Sequence, residues 1–157
     1  MKKTITLLSF FLFVHTLSFA QLVKQWDFRF GGSAIDEFHD IIKTSDGGYL
    51  VTGYSESGIS GDRSQASQGS GDFWIVKIDN AGTKQWDKRY GGNNFDELFE
   101  AQQTSDGGYI LGGWSNSPIS GDKTQASVGA GDYWVIKIDA AGSKTWDKTF
   151  GRSEELV

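Results

Sequence analysis

The sequence predicts an all-β fold made of β-propeller-like blades. Residues 24–83 align without a gap to residues 84–143, and more than half of the aligned positions are identical. Each copy contains short apolar runs with a period of two, separated by turns rich in Gly and Ser. A four-stranded antiparallel meander that repeats with a fixed period is typical of a propeller blade. We therefore expect two complete four-stranded repeats and, in residues 144–157, the first strand of a third.

The first 20 residues have the pattern of a secretory signal peptide. A basic start, Met1-Lys2-Lys3, precedes an apolar stretch in residues 5–14, and small residues occupy the cleavage-site positions. Residues 21–157 then form the repeat region. The apolar stretch is too short to remain as a membrane-spanning helix. We expect a secreted protein, extracellular or at the cell surface, without membrane insertion.

Each repeat divides into four expected strands. In the first repeat these are residues 26–30, 38–43, 49–54 and 73–79. Alternation of apolar and polar residues supports the first strand, a tight turn joins the second to the third, and the fourth carries apolar residues on both faces. In the fourth strand Trp74, Val76 and Ile78 share one face, and Phe73 and Ile75 lie on the other. A turn then leads into the first strand of the next repeat.

The tight turn has the same sequence, TSDGGY, in both repeats. An Asp side chain in a turn accepts hydrogen bonds from nearby backbone N–H groups, and Gly permits a positive φ. This chemistry predicts a structural role, and the recurrence follows if every blade needs the same hairpin. The predicted turn residues are Thr44, Asp46, Gly48, Thr104, Asp106 and Gly108.

Three stretches, "DFWIVKID", "KQWDKRYGG" and "TSDGGYILGGWS", resemble the delta-60-type β-propeller repeats of secreted bacterial surface proteins. Many proteins of that family end in a sorting domain for the type IX secretion route. The resemblance covers residues 24–157 and implies a propeller scaffold, while it implies no particular activity. The chain departs from the family because it has few blades and no sorting domain.

Two blades do not close a ring, since propellers close with about four to eight. Each blade buries its faces against neighbouring blades, so an isolated pair exposes two apolar faces. Three arrangements remain open. The chain is a fragment of a longer product, several chains assemble, or the two repeats pack against each other as a two-sheet β-sandwich.

The net charge of −5 becomes more negative when Lys2 and Lys3 leave with the signal peptide. Nucleic acid and anionic membrane surfaces are therefore not expected partners. The chain has no Cys, so it has neither disulfides nor a thiol nucleophile. The remaining partner classes are a protein, a glycan, further blades or a second copy of the chain.

The acidic pairs Asp36-Glu37 and Asp96-Glu97 recur identically, whereas a glycosidase needs one site with two carboxylates in different environments. His39 has Phe99 as its counterpart and is expected on a half-buried strand face. No nucleophile elbow, P-loop or dinucleotide motif is found in the sequence. We therefore predict a protein that is not an enzyme.

The long loops, residues 57–72 and 117–132, are the expected place for binding, as a packed Ω-loop or a binding edge. Their oxygen-bearing side chains are candidate Ca²⁺ ligands, although they equally suit ordinary turns, and no other cofactor is expected. The metal candidates are Asp62, Asp72, Asp122 and Asp132, with Ser64 and Thr124.

The Trp residues recur at positions expected to face the core. These are Trp26, Trp86 and Trp146 in one column of the alignment, with Trp74 and Trp134 in another. Trp114 replaces Tyr54 and is the best candidate for an exposed, ligand-binding aromatic residue. The sequence favours a non-catalytic scaffold or binding module, and the alternative is a carbohydrate-binding or carbohydrate-active propeller fragment centred on Trp114.

Overall fold

The computed structural model describes residue 24 and residues 26–151. The predicted signal peptide and the last residues of the partial third repeat lie outside the described residues. Within the described part, the regular secondary structure is β-strand alone, and no helix there is long and apolar enough to cross a membrane. The eight strands are β1 (Asp36–Lys43), β2 (Tyr49–Ser55), β3 (Asp72–Ile78), β4 (Lys84–Tyr90), β5 (Asp96–Gln103), β6 (Tyr109–Ser115), β7 (Asp132–Ile138) and β8 (Lys144–Phe150).

The strands form two antiparallel meanders that are not closed into a barrel. Sheet I has the order β1-β2-β3-β4, and sheet II has the order β5-β6-β7-β8. The all-β prediction with two four-stranded units is confirmed. The strand predicted for residues 38–43 is also confirmed and lies within β1.

The sequence repeats and the sheets are offset by one strand. Each sheet takes its fourth strand from the beginning of the following sequence repeat, so β4 belongs in sequence to the second repeat but pairs with β3. Likewise, the strand expected to start a third repeat is β8, and it completes sheet II by pairing with β7. Residues 26–30 were expected to form a strand and do not. The equivalent strands β4 and β8 each pair with the strand that precedes them, and no described strand precedes residues 26–30.

The core lies between the two sheets, which use unlike faces to meet. Sheet I contributes Phe73 and Ile75 of β3, whereas sheet II contributes Trp134 and Ile136 of β7. The rings of Phe73 and Trp134 are 4.9 Å apart between centroids. In the repeat alignment Trp134 corresponds to Trp74 and not to Phe73. The two faces that meet are therefore non-equivalent, so the sheets stack head to tail. The second core cluster contains Trp74, Val76 and Ile78 on the outer face of sheet I, as the predicted alternation in this strand requires.

The outer faces of the two sheets differ. Residues 26–30 lie along the outer face of sheet I, where Trp26 and Phe30 pack against the cluster of Trp74, Val76 and Ile78. No described residue covers the outer face of sheet II in the same way, and Trp146 on that face is 44% exposed. The expectation that all repeated Trp residues face the core is therefore wrong for Trp146, because the packing partner of that face is missing from the described part of the chain.

Candidate functional site

The TSDGGY segments form equivalent turns, one between β1 and β2 and one between β5 and β6. Thr44 Oγ1 donates to Asp46 Oδ1 at 2.5 Å, and Gly48 N donates to the same oxygen at 3.1 Å. Gly47, which precedes Gly48, has a φ of +86°. Gly48 itself is required for close approach, since a Cβ there would lie 2.2 Å from the carbonyl oxygen of Ile78. The second turn repeats these contacts at Thr104, Asp106 and Gly108.

A lysine of the third strand anchors each turn to its sheet. Lys77 Nζ lies 2.8 Å from Asp46 Oδ2, and Lys137 Nζ lies 3.0 Å from Asp106 Oδ2. The hydrogen bond from Lys77, followed by that from Thr44, lowers the pKa of Asp46 to about 2. The carboxylates of both turns are thus ionised anchors of the hairpins.

The paired acids divide into two roles. Asp36 accepts hydrogen bonds from Gly32 N at 2.7 Å and from Ser55 Oγ, and it also contacts Ser57 Oγ. Asp96 accepts from Gly92 N at 2.7 Å and from Ser117 Oγ at 2.9 Å. Each Asp therefore fastens a long loop to the chain segment that enters its sheet, which leaves only Glu37 and Glu97 free for another role.

The long loops are packed around buried cations. The Arg63 guanidinium donates to Gln65 O at 2.9 Å and lies over the Trp74 ring, 5.3 Å from its centroid. At the same place in the second loop, Lys123 Nζ donates to Ser115 Oγ, Ser117 O and Ser127 Oγ at 2.7–2.9 Å. Burial lowers the pKa of both cations. These contacts make each loop a packed Ω-loop, one of the two forms considered from sequence.

The structure gives the candidate calcium ligands hydrogen-bonding roles. Asp62 and Asp122 accept from the backbone N–H groups of Gly31 and Gly91, each at 3.2 Å. Asp72 and Asp132 accept from backbone N–H groups of their own loops. The backbone N–H groups of Ser64 and Thr124 bind Asp87 and Asp147. No group of three or more acidic or His side chains within the described ranges is arranged to hold a metal ion, and the calcium site stays a prediction.

Trp114 is half-buried at the end of β6. A Cβ on Gly131 would lie 2.1 Å from its indole, so the ring rests directly on the loop backbone. Phe95 lies 6.3 Å from Trp114 and 5.0 Å from Tyr54, measured between ring centroids. The three rings form an aromatic row that crosses from sheet II to sheet I. Trp114 is therefore a partly exposed member of a row rather than an isolated surface residue.

A second group, the inter-sheet cluster, is formed by Glu37, His39, Tyr54, Glu97 and Phe99. His39 and Phe99 both lie at register shifts, one in β1 and one in β5. A bulge redirects a side chain, and these two rings stack at 5.5 Å between centroids with an interplanar angle of 27°. The bulges thus bring two non-identical residues of the repeat together across the inter-sheet boundary.

Polar contacts complete this cluster. His39 Nδ1 donates to Leu98 O at 2.6 Å, while its Nε2 lies 3.5 Å from Glu97 and 3.9 Å from Glu37. Burial, followed by the hydrogen bond with Glu37, raises the pKa of Tyr54 to about 12, so this hydroxyl stays protonated at neutral pH. Nδ1 is thus engaged by a backbone carbonyl, while Nε2 faces the two carboxylates. The geometry suits a polar and stacking link between β1 and β5.

Sequence reasoning placed His39 correctly on a half-buried face but missed the cluster that surrounds it. The sequence feature that could have revealed the cluster is the difference between His39 and Phe99 at equivalent positions of nearly identical repeats. These two side chains contact each other across the junction between the sheets, so different residue types can occupy the two positions. No protein-family model matches this chain, and a search of curated proteins finds no match.

Proposed function

We propose that the chain is a non-catalytic scaffold and binding module that acts outside the cell. The observation that carries this proposal is the use of acidic side chains in both repeats. Asp36, Asp46 and Asp87 of sheet I, like their counterparts in sheet II, accept hydrogen bonds that hold turns and loops. Asp87 also accepts from Trp74 Nε1 at 3.2 Å. Carboxylates held in this way serve the framework, which then presents the loops at its ends.

Export is the second part of the proposal, and it rests on the sequence. Residues 1–20 have the pattern of a secretory signal peptide, and the absence of Cys fits a chain that is stabilised by packing alone. We propose a partner of protein or glycan class, with the packed loops and the aromatic row as the contact surface.

A hydrolysis assay tests the non-catalytic part. The chain is incubated with soluble xylan and with laminarin, and the release of reducing ends is measured for the parent, Glu97→Gln and Glu100→Gln. Glu97 belongs to the inter-sheet cluster, whereas Glu100 is exposed on the same strand and is the matched control. We expect no release from any of them. Release that is lost in Glu97→Gln and kept in Glu100→Gln would overturn the proposal.

A carbohydrate-binding role is the second candidate, and the aromatic row of Tyr54, Phe95 and Trp114 favours it. Phe95 and Trp114 are partly exposed, whereas Tyr54 is buried behind them, and partly exposed rings can stack on sugar faces. Fluorescence titration with the same two polysaccharides compares the parent with Trp114→Phe, which keeps the packing against Gly131 and removes one indole signal. A saturable change that disappears in Trp114→Phe would support this candidate. An unchanged spectrum at saturating polysaccharide would exclude binding of these glycans at the row.

A further inference from the structure

The uncovered side of sheet II is the repeat counterpart of a face that sheet I already buries. Phe73 is completely buried against sheet II, whereas its counterpart Tyr133 is 73% exposed. Adjacent apolar side chains on one side of a sheet typically mark an interaction surface. We call this surface the open face, and it is formed by Phe99, Ile110, Tyr133, Val135, Trp146 and Phe150.

The chain also carries the surface that the open face fits. Inside the molecule, Phe73 and Ile75 pack on the side of sheet II that presents Trp134, Ile136 and Ile138. The outer face of sheet I presents Trp74, Val76 and Ile78 at the corresponding positions. One chain therefore contains both halves of the same head-to-tail contact, and such a contact is able to form between copies.

Residues 26–30 now lie on that outer face, in the place that β4 takes on sheet II. A Cβ on Gly82 would lie 2.5 Å from Phe28 and 3.2 Å from Trp26. At the other junction, a Cβ on Gly142 would lie 2.7 Å from Lys88 and 3.3 Å from Trp86. Since residues 26 and 28 align with residues 86 and 88, the two segments occupy equivalent positions.

The contact of the N-terminal segment with sheet I includes a pocket and lacks a hydrogen bond that β4 makes with sheet II. A cavity of about 210 Å³ remains beside the segment, lined by Phe28, Phe30 and Trp74 among others. Tyr90 of β4 donates its hydroxyl to Gly142 O at 2.5 Å, and Phe30 at the same position has no hydroxyl. Because cavities lose contacts, the segment is held more weakly than β4.

One ion pair also distinguishes the two junctions. Arg89 of β4 lies 2.7 Å from Asp122 in the loop of sheet II. Arg29 aligns with Arg89 but is exposed, and it forms no ion pair with Asp62. Residues 26–30 thus lack the hydroxyl, the ion pair and the strand ladder that hold β4.

We propose that a second copy of this chain docks head to tail, with the open face of one copy covering the outer face of sheet I of the other. In the complex, β8 takes the place of residues 26–30, which leave the outer face of sheet I. The N-terminal segment is then a displaceable cap that limits self-association. This inference rests on the proposed scaffold function and names its partner.

Sedimentation velocity of the exported chain, over about a hundredfold range of concentration, tests this partner by mass action. Trp26→Ser with Phe30→Ser weakens the cap, and we expect association at least about tenfold tighter than in the parent. Adding Tyr133→Lys and Val135→Lys to this variant should abolish the gain. Ile119→Lys, an exposed apolar residue away from the open face, is the matched control and should preserve it.

A third variant leaves the apolar faces untouched. Thr149→Arg places a guanidinium at the position of Arg89, facing Asp62 of the second copy, and should tighten association in the parent background. Near-ultraviolet circular dichroism establishes whether each variant is folded. If the cap variant does not fold, Thr149→Arg decides the question.

The proposal is overturned if the folded cap variant and Thr149→Arg both stay monomeric, or if the open-face lysines leave the association unchanged. In the first case something other than a second copy of this chain would cover the open face. The two proposals fail separately. A strictly monomeric chain leaves the scaffold function standing, whereas glutamate-dependent release of sugar overturns that function and leaves self-association untouched.

Discussion

The central strands β3 and β7 have nearly the same sequence in different surroundings. Every residue of β3 is buried, because residues 26–30 cover one side of it and sheet II covers the other. In β7 the residues alternate between buried and more exposed, since only sheet I covers it. The repeat therefore encodes two apolar faces, and the position of a repeat in the stack decides whether both of them are used.

The loops provide a second comparison, in which the chemistry differs and the role is shared. Arg63 and Lys123 occupy the same position, and each is buried at the centre of its loop. The guanidinium stacks on Trp74, whereas the ammonium uses three oxygen acceptors. Each loop thus buries a cation at this position, and the two repeats give it different partners.

The largest expected effect tests the difference in burial between β3 and β7 directly. Phe73→Ala should lower the free energy of unfolding by about 3–5 kcal/mol, because it removes a fully buried ring from the inter-sheet core. Tyr133→Ala at the counterpart position should change it by about 0.5 kcal/mol or less. Urea unfolding of both variants measures the difference. Equal losses would mean that Tyr133 is covered in solution.

A substitution of Lys123 tests whether the long loop depends on its buried cation. Lys123→Met should cost about 2 kcal/mol, because the ammonium's buried acceptors lose their donor. Lys148→Met, on exposed β8 surface, is the control and should change stability by about 0.5 kcal/mol or less. Urea unfolding measures both variants. A Lys123→Met chain as stable as the parent would show that the loop does not need its cation.

The first residue of β3 gives a pH-dependent contrast. Burial raises the pKa of Asp72 to about 6 from 3.8. The folded protein then binds this proton more tightly than the unfolded chain, so the contribution of Asp72 to stability is fully present below about pH 4 and is lost as the pH rises through 6. The Asp72 contribution is on the order of 2 kcal/mol. Asp72→Asn should remove this part of the pH dependence between pH 4 and 7, and unchanged slopes in thermal unfolding would contradict it.

The smallest effect is expected at the duplicated turns. Asp46→Ala should cost about 1 kcal/mol because it removes turn hydrogen bonds and leaves Lys77, which is nearly buried, without its carboxylate. Asp106→Ala should cost less, since the side chain of Lys137 is more exposed and keeps water as a partner. Urea midpoints of the two variants compare the turns, and a larger loss for Asp106→Ala would reverse this ranking.

Local pattern predicted much of the fold, and long-range pairing limited the rest. The alternation around Trp74 and the glycine turns follow from strand and hairpin geometry, which a repeated sequence displays openly. The sheet boundaries could not be predicted, because the sequence of residues 84–90 is equally compatible with pairing to the strand before it and to the strand after it. The inter-sheet cluster was missed for the same reason, since His39 and Phe99 are far apart in sequence and meet only when unlike faces stack.

The one-strand offset has a consequence for how the chain would respond to cleavage. A protease that cuts the turn in residues 79–83 separates the two sequence repeats, yet β3 and β4 remain joined by their ladder of backbone hydrogen bonds. The two fragments would stay together as a nicked complex, with the last strand of sheet I supplied by the C-terminal piece. Neither fragment has a complete sheet I by itself, so each would recover that sheet only by complementation with the other.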